Sequence, residues 1–255
     1  MMSINTLYKQ YKERILTGFI LALGAIVIGA IDNFFLIWLF LGILFMVSLF
    51  EANRLFNIHS GAIYYYGFAL WITAAFYPSV EELFFIAAIA YAAVLTYSQK
   101  LDQKHFTPLL YPTVGFLFFL TLYNDYGVGS YIWLIVVVAS TDIGAFVVGK
   151  AIGKTPFSKI SPNKTLEGVF GGITVATILG AIVGIQYSDF FPALIISLFT
   201  AISAVFGDLF ESYLKRQANV KDSGTIFPGH GGVLDRLDGY LFGAVVMTIL
   251  MRSIS

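Results

Sequence analysis

Residues 207–238, near the end of the chain, hold its densest set of side chains that can perform chemistry. Carboxylates, lysines, arginines, two serines and a histidine occur together here, yet apolar segments flank the stretch on both sides. Ionisable residues at the edge of a bilayer are energetically costly. A dense set of them therefore indicates a functional site rather than a loop that only connects two helices.

The spacing of four of these side chains predicts a polar helix face. Asp208, Glu211, Ser212 and Lys215 lie at positions i, i+3, i+4 and i+7. If the helix before the loop runs through Lys215, all four share one face. The plainer alternative is that the two acids are only ion-pair partners of Lys215.

A second pair of carboxylates follows a glycine-rich loop. Asp235 and Asp238 are three residues apart and share a face if a helix starts near Leu234. The loop, residues 221–232, contains four glycines and a proline, so it exposes backbone N–H groups that suit phosphate oxygens. Carboxylates from two helices, basic residues and such a loop can hold Mg²⁺ and a polyphosphate. Alternatively, the two acids only stabilise the N-terminus of the helix through its dipole.

Two polar regions upstream also allow both a functional and a purely structural interpretation. Asp142 precedes Lys150 by eight residues within an apolar run, about 12 Å along a helix. A charge at that depth needs a partner from another helix or a cation. Ser161, Asn163 and Lys164 precede a predicted helix, whose N-terminus suits phosphate. Their alternative role is a helix cap formed by Thr165 or Ser161.

The composition predicts an all-α, polytopic membrane protein. Of the 255 residues, 58% are hydrophobic and only 12% are charged, which excludes an ordinary soluble domain. The formal net charge is zero, so no nucleic-acid partner is expected. Because the chain has no cysteine, disulfides and thiolate metal sites are excluded.

About nine apolar segments approach the ~20 residues that a membrane-spanning helix needs. We expect one membrane domain over residues 1–255, with its motif-bearing half from roughly residue 130. The pairs Gly168/Gly172 and Gly180/Gly184 predict close helix packing. The predicted spans are roughly 15–31, 34–50, 62–78, 83–98, 107–123, 130–149, 168–187, 190–213 and 235–252.

The distribution of basic residues predicts the orientation. With nine spans, fourteen of the fifteen lysines and arginines fall on one side, and only Arg252 falls on the other. The positive-inside rule then places the N-terminus and both long polar loops, residues 150–167 and 216–234, in the cytoplasm. We therefore expect a multi-pass protein of the cytoplasmic (inner) membrane.

The order of the motif residues resembles the signature of the phosphatidate cytidylyltransferases, also called CDP-diacylglycerol synthases. The signature is matched by Ser212-Tyr-Leu-Lys215-Arg216, Lys221-Asp222-Ser-Gly, Pro228-Gly-His230-Gly-Gly and Asp235-Arg236-Leu-Asp238. Two further family motifs resemble Ser161-Pro-Asn-Lys164-Thr-Leu-Glu167-Gly and Asp142-Ile-Gly-Ala-Phe. The resemblance covers roughly the C-terminal half. Leu166 and Gly239 depart from it, since the family often has Trp and Ser there.

The resemblance implies transfer of a cytidylyl group from CTP to phosphatidic acid, which gives CDP-diacylglycerol and pyrophosphate. It implies Mg²⁺, as one cation or two, held by Asp142, Asp208, Asp235 and Asp238. Catalytic roles are implied for Asp208, Lys221, Asp235 and Asp238. The substrate-binding residues implied are Ser161, Asn163, Lys164, Ser212, Lys215, Arg216, Gly229, His230, Gly231, Gly232 and Arg236.

The sequence also predicts the partners of the protein and leaves alternative functions open. The partners are CTP, phosphatidic acid and membrane lipid, and a homodimer is compatible with the sequence. The nearer rivals are another CTP-dependent lipid-phosphate cytidylyltransferase and a polyprenol kinase. The rival from another class is an ion-coupled transporter, because intramembrane acids also mark ion paths.

Overall fold

The computed structural model describes Gly24 and residues 26–99, 102–227 and 231–254. This part of the chain is helical and contains no β-strand beyond isolated bridges. Residues 26–31 are helical, and short helical turns at Val80–Glu82, Gln103–Phe106 and Leu109–Thr113 join the longer elements. The α-helices that follow are α1 (Phe34–Leu55), α2 (Ala62–Ala74), α3 (Leu83–Ser98), α4 (Val114–Tyr126), α5 (Val128–Ile152), α6 (Leu166–Gly184), α7 (Phe190–Gln217) and α8 (Leu234–Ile254).

Seven segments of the described chain are long and apolar enough to cross a membrane. The predicted all-α, multi-pass fold is therefore confirmed. Helix α2 has only 13 residues, about 20 Å of helix against a hydrocarbon core of about 30 Å. The first predicted span, 15–31, lies mostly outside the described residues. The count of nine spans stays a prediction.

Two helices extend further than their apolar runs suggested. Helix α7 continues to Gln217, so Lys215 lies on the helix as predicted. Helix α1 continues to Leu55, although its span was expected to end at Phe50. Glu51 and Asn53, expected in or next to a connecting loop, are consequently buried helical residues, each 1% exposed.

Small residues bring α5 and α6 into close contact. A Cβ atom added to Gly172 would lie 2.4 Å from the carbonyl oxygen of Thr141, and one added to Gly168 would lie 2.7 Å from that of Ala145. Farther along α6, a Cβ at Gly184 would lie 2.3 Å from the Trp133 ring. The prediction of close helix packing at these glycines is confirmed.

Helix α8 packs against α4, α5 and α7. Leu234, Leu241 and Met247 on α8 are fully buried. The rings of Phe210 on α7 and Phe242 on α8 both contact Tyr111, at centroid distances of 5.2 and 6.2 Å. This packing sets the C-terminal half of α7 beside the first turns of α8, so the acids of both helices meet at one end of the bundle.

The opposite end of α8 carries a separate ionic cluster. Arg252 forms ion pairs with Asp125 at the end of α4, at 2.7 Å, and with Glu81 in the turn before α3, at 2.5 Å. Thr121 also donates to Glu81, at 2.8 Å. Asp235 and Arg252 are 17 residues apart, so about 25 Å of helix separates this cluster from the acids.

Candidate active site

The predicted polar face of α7 is present. Ser212 Oγ donates to Asp208 Oδ1 at 3.4 Å, and Lys215 forms an ion pair with Glu211. The pairing of Glu211 with Lys215, left open by the spacing, is thus observed. Asp208 pairs with Lys164 instead of Lys215, so the alternative that assigned both acids to Lys215 is wrong for Asp208.

Lys215 joins the two acidic helices. Its Nζ lies 2.7 Å from Asp235 Oδ1 on α8 while it also pairs with Glu211 on α7. The Glu211 side chain is fully buried, and that of Lys215 is 12% exposed. Low exposure strengthens such charge-assisted contacts. The ammonium group therefore holds the first turn of α8 against α7.

The glycine-rich loop folds around Asp235. The Oδ2 atom of Asp235 accepts hydrogen bonds from the Ser223 backbone N–H at 2.8 Å, the Ser223 hydroxyl at 2.9 Å and the Gly232 N–H at 2.7 Å. Gly231 has φ +83°, and a Cβ there would lie 2.5 Å from the same oxygen. The Gly232 N–H, predicted to contact CTP phosphate, is engaged by a carboxylate in this structure.

Three acids from three helices share one electrostatic neighbourhood. Asp142 on α5 interacts with the charges of Lys164, Asp208 and Arg236. Asp238 on α8 interacts with those of Asp208 and Asp142, and its Oδ1 accepts the Gly239 N–H at 2.8 Å. The bases that act on Asp142, Lys164 and Arg236, therefore lie on other segments of the chain, and the closest contact of Lys164 is with Asp208.

The carboxylate oxygens of Asp142, Asp208 and Asp238 are of the type that binds a hard divalent cation. Within the described ranges, no three acidic or histidine side chains converge closely enough to form a complete metal cage. Mg²⁺ in phosphate-transfer sites is usually held by one or two carboxylates together with water and substrate phosphates. Asp142, Asp208 and Asp238 fit that requirement. Asp235 fits it less well, because protein donors engage both of its oxygens.

The segment before α6 is held by its own polar contacts. Thr165 caps α6 by accepting the Gly168 N–H at 3.2 Å, which confirms the cap predicted there. Glu167 accepts from the backbone N–H groups of Lys154 and Thr155. Lys164 is thereby placed beside Asp208.

The remaining predicted substrate contacts lie around this centre. Asn163, Arg216, Lys221 and Arg236 are exposed, and Ser161 is half-buried. Arg216 donates to the carbonyl of Val220 at 3.3 Å. Gly229 and His230 lie outside the described residues.

The sequence reasoning missed Glu51. This side chain on α1 accepts hydrogen bonds from the backbone N–H of Val233 at 3.0 Å, the N–H of Leu234 at 2.9 Å and the hydroxyl of Ser223 at 3.0 Å. The signal that could have located it is helical periodicity. The buried positions Ser48, Glu51, Ala52 and Leu55 continue the inner face of α1 beyond the last apolar run.

Comparison with known proteins identifies the family. The model of the cytidylyltransferase family matches residues 12–254, nearly the whole chain. The chain belongs to the cytidylyltransferase family. This membership favours cytidylyl transfer over the kinase and transporter alternatives, and it extends the resemblance to the N-terminal half.

The relatives of this chain within the cytidylyltransferase family include members of the group that its motifs resemble. The phosphatidate cytidylyltransferase of Helicobacter pylori (strain J99 / ATCC 700824) is 46% identical over 248 residues, covering 96% of this chain and 93% of the relative. That of Bacillus subtilis (strain 168) is 35% identical over 257 residues, covering 91% and 94%. The chloroplastic phosphatidate cytidylyltransferase 4 of Arabidopsis thaliana is 40% identical over 121 residues, 46% of this chain and 31% of the relative.

Proposed function

We propose that this cytidylyltransferase transfers the cytidylyl group of CTP to phosphatidic acid and releases pyrophosphate. The observation that carries the proposal is the meeting of acids and bases from α5, α7 and α8 at one end of an apolar bundle. A water-soluble nucleotide and a membrane lipid can both reach such a position. The 46% identity to a phosphatidate cytidylyltransferase over almost the full length supports the same substrate pair.

The reaction is a displacement at the α-phosphorus of CTP. A phosphate oxygen of the lipid forms the new P–O bond in line, and the bond to the β-phosphate oxygen breaks with pyrophosphate as the leaving group. The attacking phosphate is an anion near neutral pH, so little general-base help is needed. The barrier lies in bringing two anions together and in stabilising charge on the leaving group.

The residues of the centre match those two demands. We assign Lys164, Lys221 and Arg236 to phosphate oxygens, because lysine and arginine offer positive charge but cannot ligate a metal. Lys215 is engaged between Glu211 and Asp235, so we assign it first to orienting Asp235.

Mg²⁺ is the cofactor that the acids suggest. One or two carboxylates of Asp142, Asp208 and Asp238 would hold it together with water and substrate phosphate, whereas both oxygens of Asp235, the fourth predicted ligand, are engaged by protein donors. When bound, the ion supplies positive charge that offsets the phosphate charges and orients the leaving group. The chain's own contribution is to fix the carboxylates on three helices before the substrates arrive.

We also propose that the centre faces the cytoplasm in a nine-span protein of the inner membrane, with a cytoplasmic N-terminus. The asymmetric distribution of lysine and arginine supports this orientation. A cysteine at Lys159 or Thr225, both exposed on the loops of the centre, should resist an impermeant thiol reagent on intact cells. A cysteine at exposed Gln186, expected on the opposite side, should react. Labelling of either loop from outside would show that the orientation is opposite to the one proposed.

Omission assays test the chemical proposal. Purified protein should release pyrophosphate only when CTP, Mg²⁺ and phosphatidic acid are all present, with one CDP-diacylglycerol formed per pyrophosphate by mass spectrometry. Asp238→Asn should abolish both products, whereas Asp189→Asn, an exposed position at the start of α7, should not. Equal turnover of an unrelated lipid phosphate would favour the alternative acceptor, and a phosphorylated lipid would contradict cytidylyl transfer.

A further inference from the structure

Glu51 places a charged group from the first part of the chain at the start of α8. Its side chain is 1% exposed. Its Oε1 accepts from Val233 N–H at 3.0 Å, and its Oε2 accepts from Leu234 N–H at 2.9 Å. The first N–H groups of a helix lack partners within the helix, and its dipole favours negative charge there. Glu51 supplies both the acceptor and the charge.

Ser223 connects Glu51 to Asp235. The Ser223 hydroxyl lies 3.0 Å from Glu51 Oε2 and 2.9 Å from Asp235 Oδ2. A hydroxyl has one proton and can donate fully to one carboxylate at a time. The backbone N–H of Ser223 remains on Asp235 at 2.8 Å, so the loop stays attached to Asp235 whichever carboxylate receives the hydroxyl proton.

Two glycines of the loop leave room for the Glu51 carboxylate. A Cβ at Gly224 would lie 2.2 Å from Glu51 Oε1, and one at Gly232 would lie 2.4 Å from the same atom. The loop was expected to use glycines for phosphate. At these two positions the structure gives them another purpose, which is the close approach of backbone to a buried carboxylate.

We infer that Glu51 is a positioning residue for the transfer reaction. By accepting the N–H groups that begin α8, Glu51 fixes the orientation of this helix end. It thereby fixes the direction in which the side chains of Asp235 and Asp238 project from α8. It does not touch substrate or metal in this assignment. The inference rests on the proposed function for its kinetic consequence, whereas its structural consequence can be measured without turnover.

The test variant is Glu51→Gln. Glutamine has one acceptor oxygen and an amide that donates, so Val233 or Leu234 would lose its acceptor. The matched control is Glu82→Gln, because Glu82 is exposed and makes no side-chain cap hydrogen bond. Hydrogen exchange in detergent should rise about tenfold to a hundredfold in the peptides covering residues 223–234 and stay unchanged elsewhere.

Kinetics distinguish positioning from general stabilisation. Displacing reacting groups lowers kcat, on the order of 10²-fold for about 1 Å, so kcat should fall in Glu51→Gln while the KM values for CTP and phosphatidic acid change little. The inference is overturned if exchange at 223–234 and kcat both match wild type. It is also overturned if exchange rises evenly throughout the chain with kcat per folded molecule unchanged.

A second variant covers the case in which Glu51→Gln does not fold. Gly232→Ala adds a methyl group against Glu51 Oε1 and Ser223 Oγ, and it should produce the same local exchange and kcat loss. Gly61→Ala, at a helix start with open space around it, is its control. If wild-type protein made no CDP-diacylglycerol but the local exchange still rose, the substrate assignment would fail and the anchoring of α8 by Glu51 would stand.

Discussion

Lys164 and Asp208 form an ion pair that joins the segment before α6 to the polar face of α7. Both side chains are partly exposed, at 28% and 27%, so the pair can exchange partners at low cost. Asp208 is a predicted Mg²⁺ ligand and Lys164 a predicted phosphate ligand. The pair therefore joins the two groups that we expect to separate when Mg²⁺ and CTP bind together.

Removing Lys164 should separate these two roles. Lys164→Ala should raise the KM for CTP or slow the chemical step, and the Mg²⁺ concentration for half-maximal rate should fall or stay the same, because Asp208 loses a competing cation. Steady-state kinetics over a Mg²⁺ series measures both. Lys159→Ala, an exposed lysine of the same loop, should behave as wild type. A higher Mg²⁺ requirement in Lys164→Ala would contradict the competition.

Lys221 and Asp238 should respond differently to metal. Lys221→Ala should reduce the rate by on the order of 10²–10³, the usual effect of losing one charged contact in the transition state, and added Mg²⁺ should not restore it. Asp238→Glu keeps the charge and moves the oxygens by one methylene, so more Mg²⁺ or Mn²⁺ should recover part of its rate. Equal rescue of both variants in a metal titration would indicate that the loop is a structural hinge.

Asp235 should matter for stability as well as for turnover. Asp235→Asn should abolish activity and also weaken contacts with Lys215, Ser223 and Gly232, each of which donates to Asp235. A hydrogen bond to a charged group contributes about 1.5–3 kcal/mol, so the thermal midpoint in detergent should fall by several degrees. Asp238→Asn should lose activity with a smaller change in midpoint. Equal midpoints for the two variants would place the anchoring of the loop elsewhere.

The α5–α6 contact should tolerate no added side chain at its tightest point. Gly172→Ala places a methyl carbon 2.4 Å from the Thr141 carbonyl oxygen, so the helices must separate at a cost of about 1–3 kcal/mol. Thermal unfolding monitored by circular dichroism should report a lower midpoint. Gly61→Ala, with no atom within 4 Å of the added carbon, should not. An unchanged midpoint in Gly172→Ala would mean that the two helices can shift freely.

Local spacing predicted the parts of the centre that lie on one helix. The i, i+3, i+4 and i+7 spacing of Asp208, Glu211, Ser212 and Lys215 correctly placed them together, because an α-helix fixes side-chain direction within two turns. Hydropathy likewise predicted the all-α, membrane-spanning fold. It placed the end of α1 incorrectly, because helical hydrogen bonding continues through Glu51 and Asn53 after the apolar run stops.

Long-range contacts could not be predicted in this way. Asp208 shares a helix face with Lys215, yet it pairs with Lys164, 44 residues earlier. The acceptor for Leu234 lies 183 residues away. Which of several nearby bases or carboxylates is used depends on how the helices cross, and that follows from packing rather than from spacing.

The position of Glu51 limits how far the chain can be shortened from its N-terminus without loss of activity. A polypeptide beginning near residue 130 would carry every motif of the cytidylyltransferase signature. Its Val233 and Leu234 amides, buried in the full chain, would nevertheless start α8 without the acceptor that Glu51 provides, and an unpaired buried N–H group is costly. Truncation should therefore yield a helical fragment without turnover, and the minimal catalytic unit must begin before residue 51.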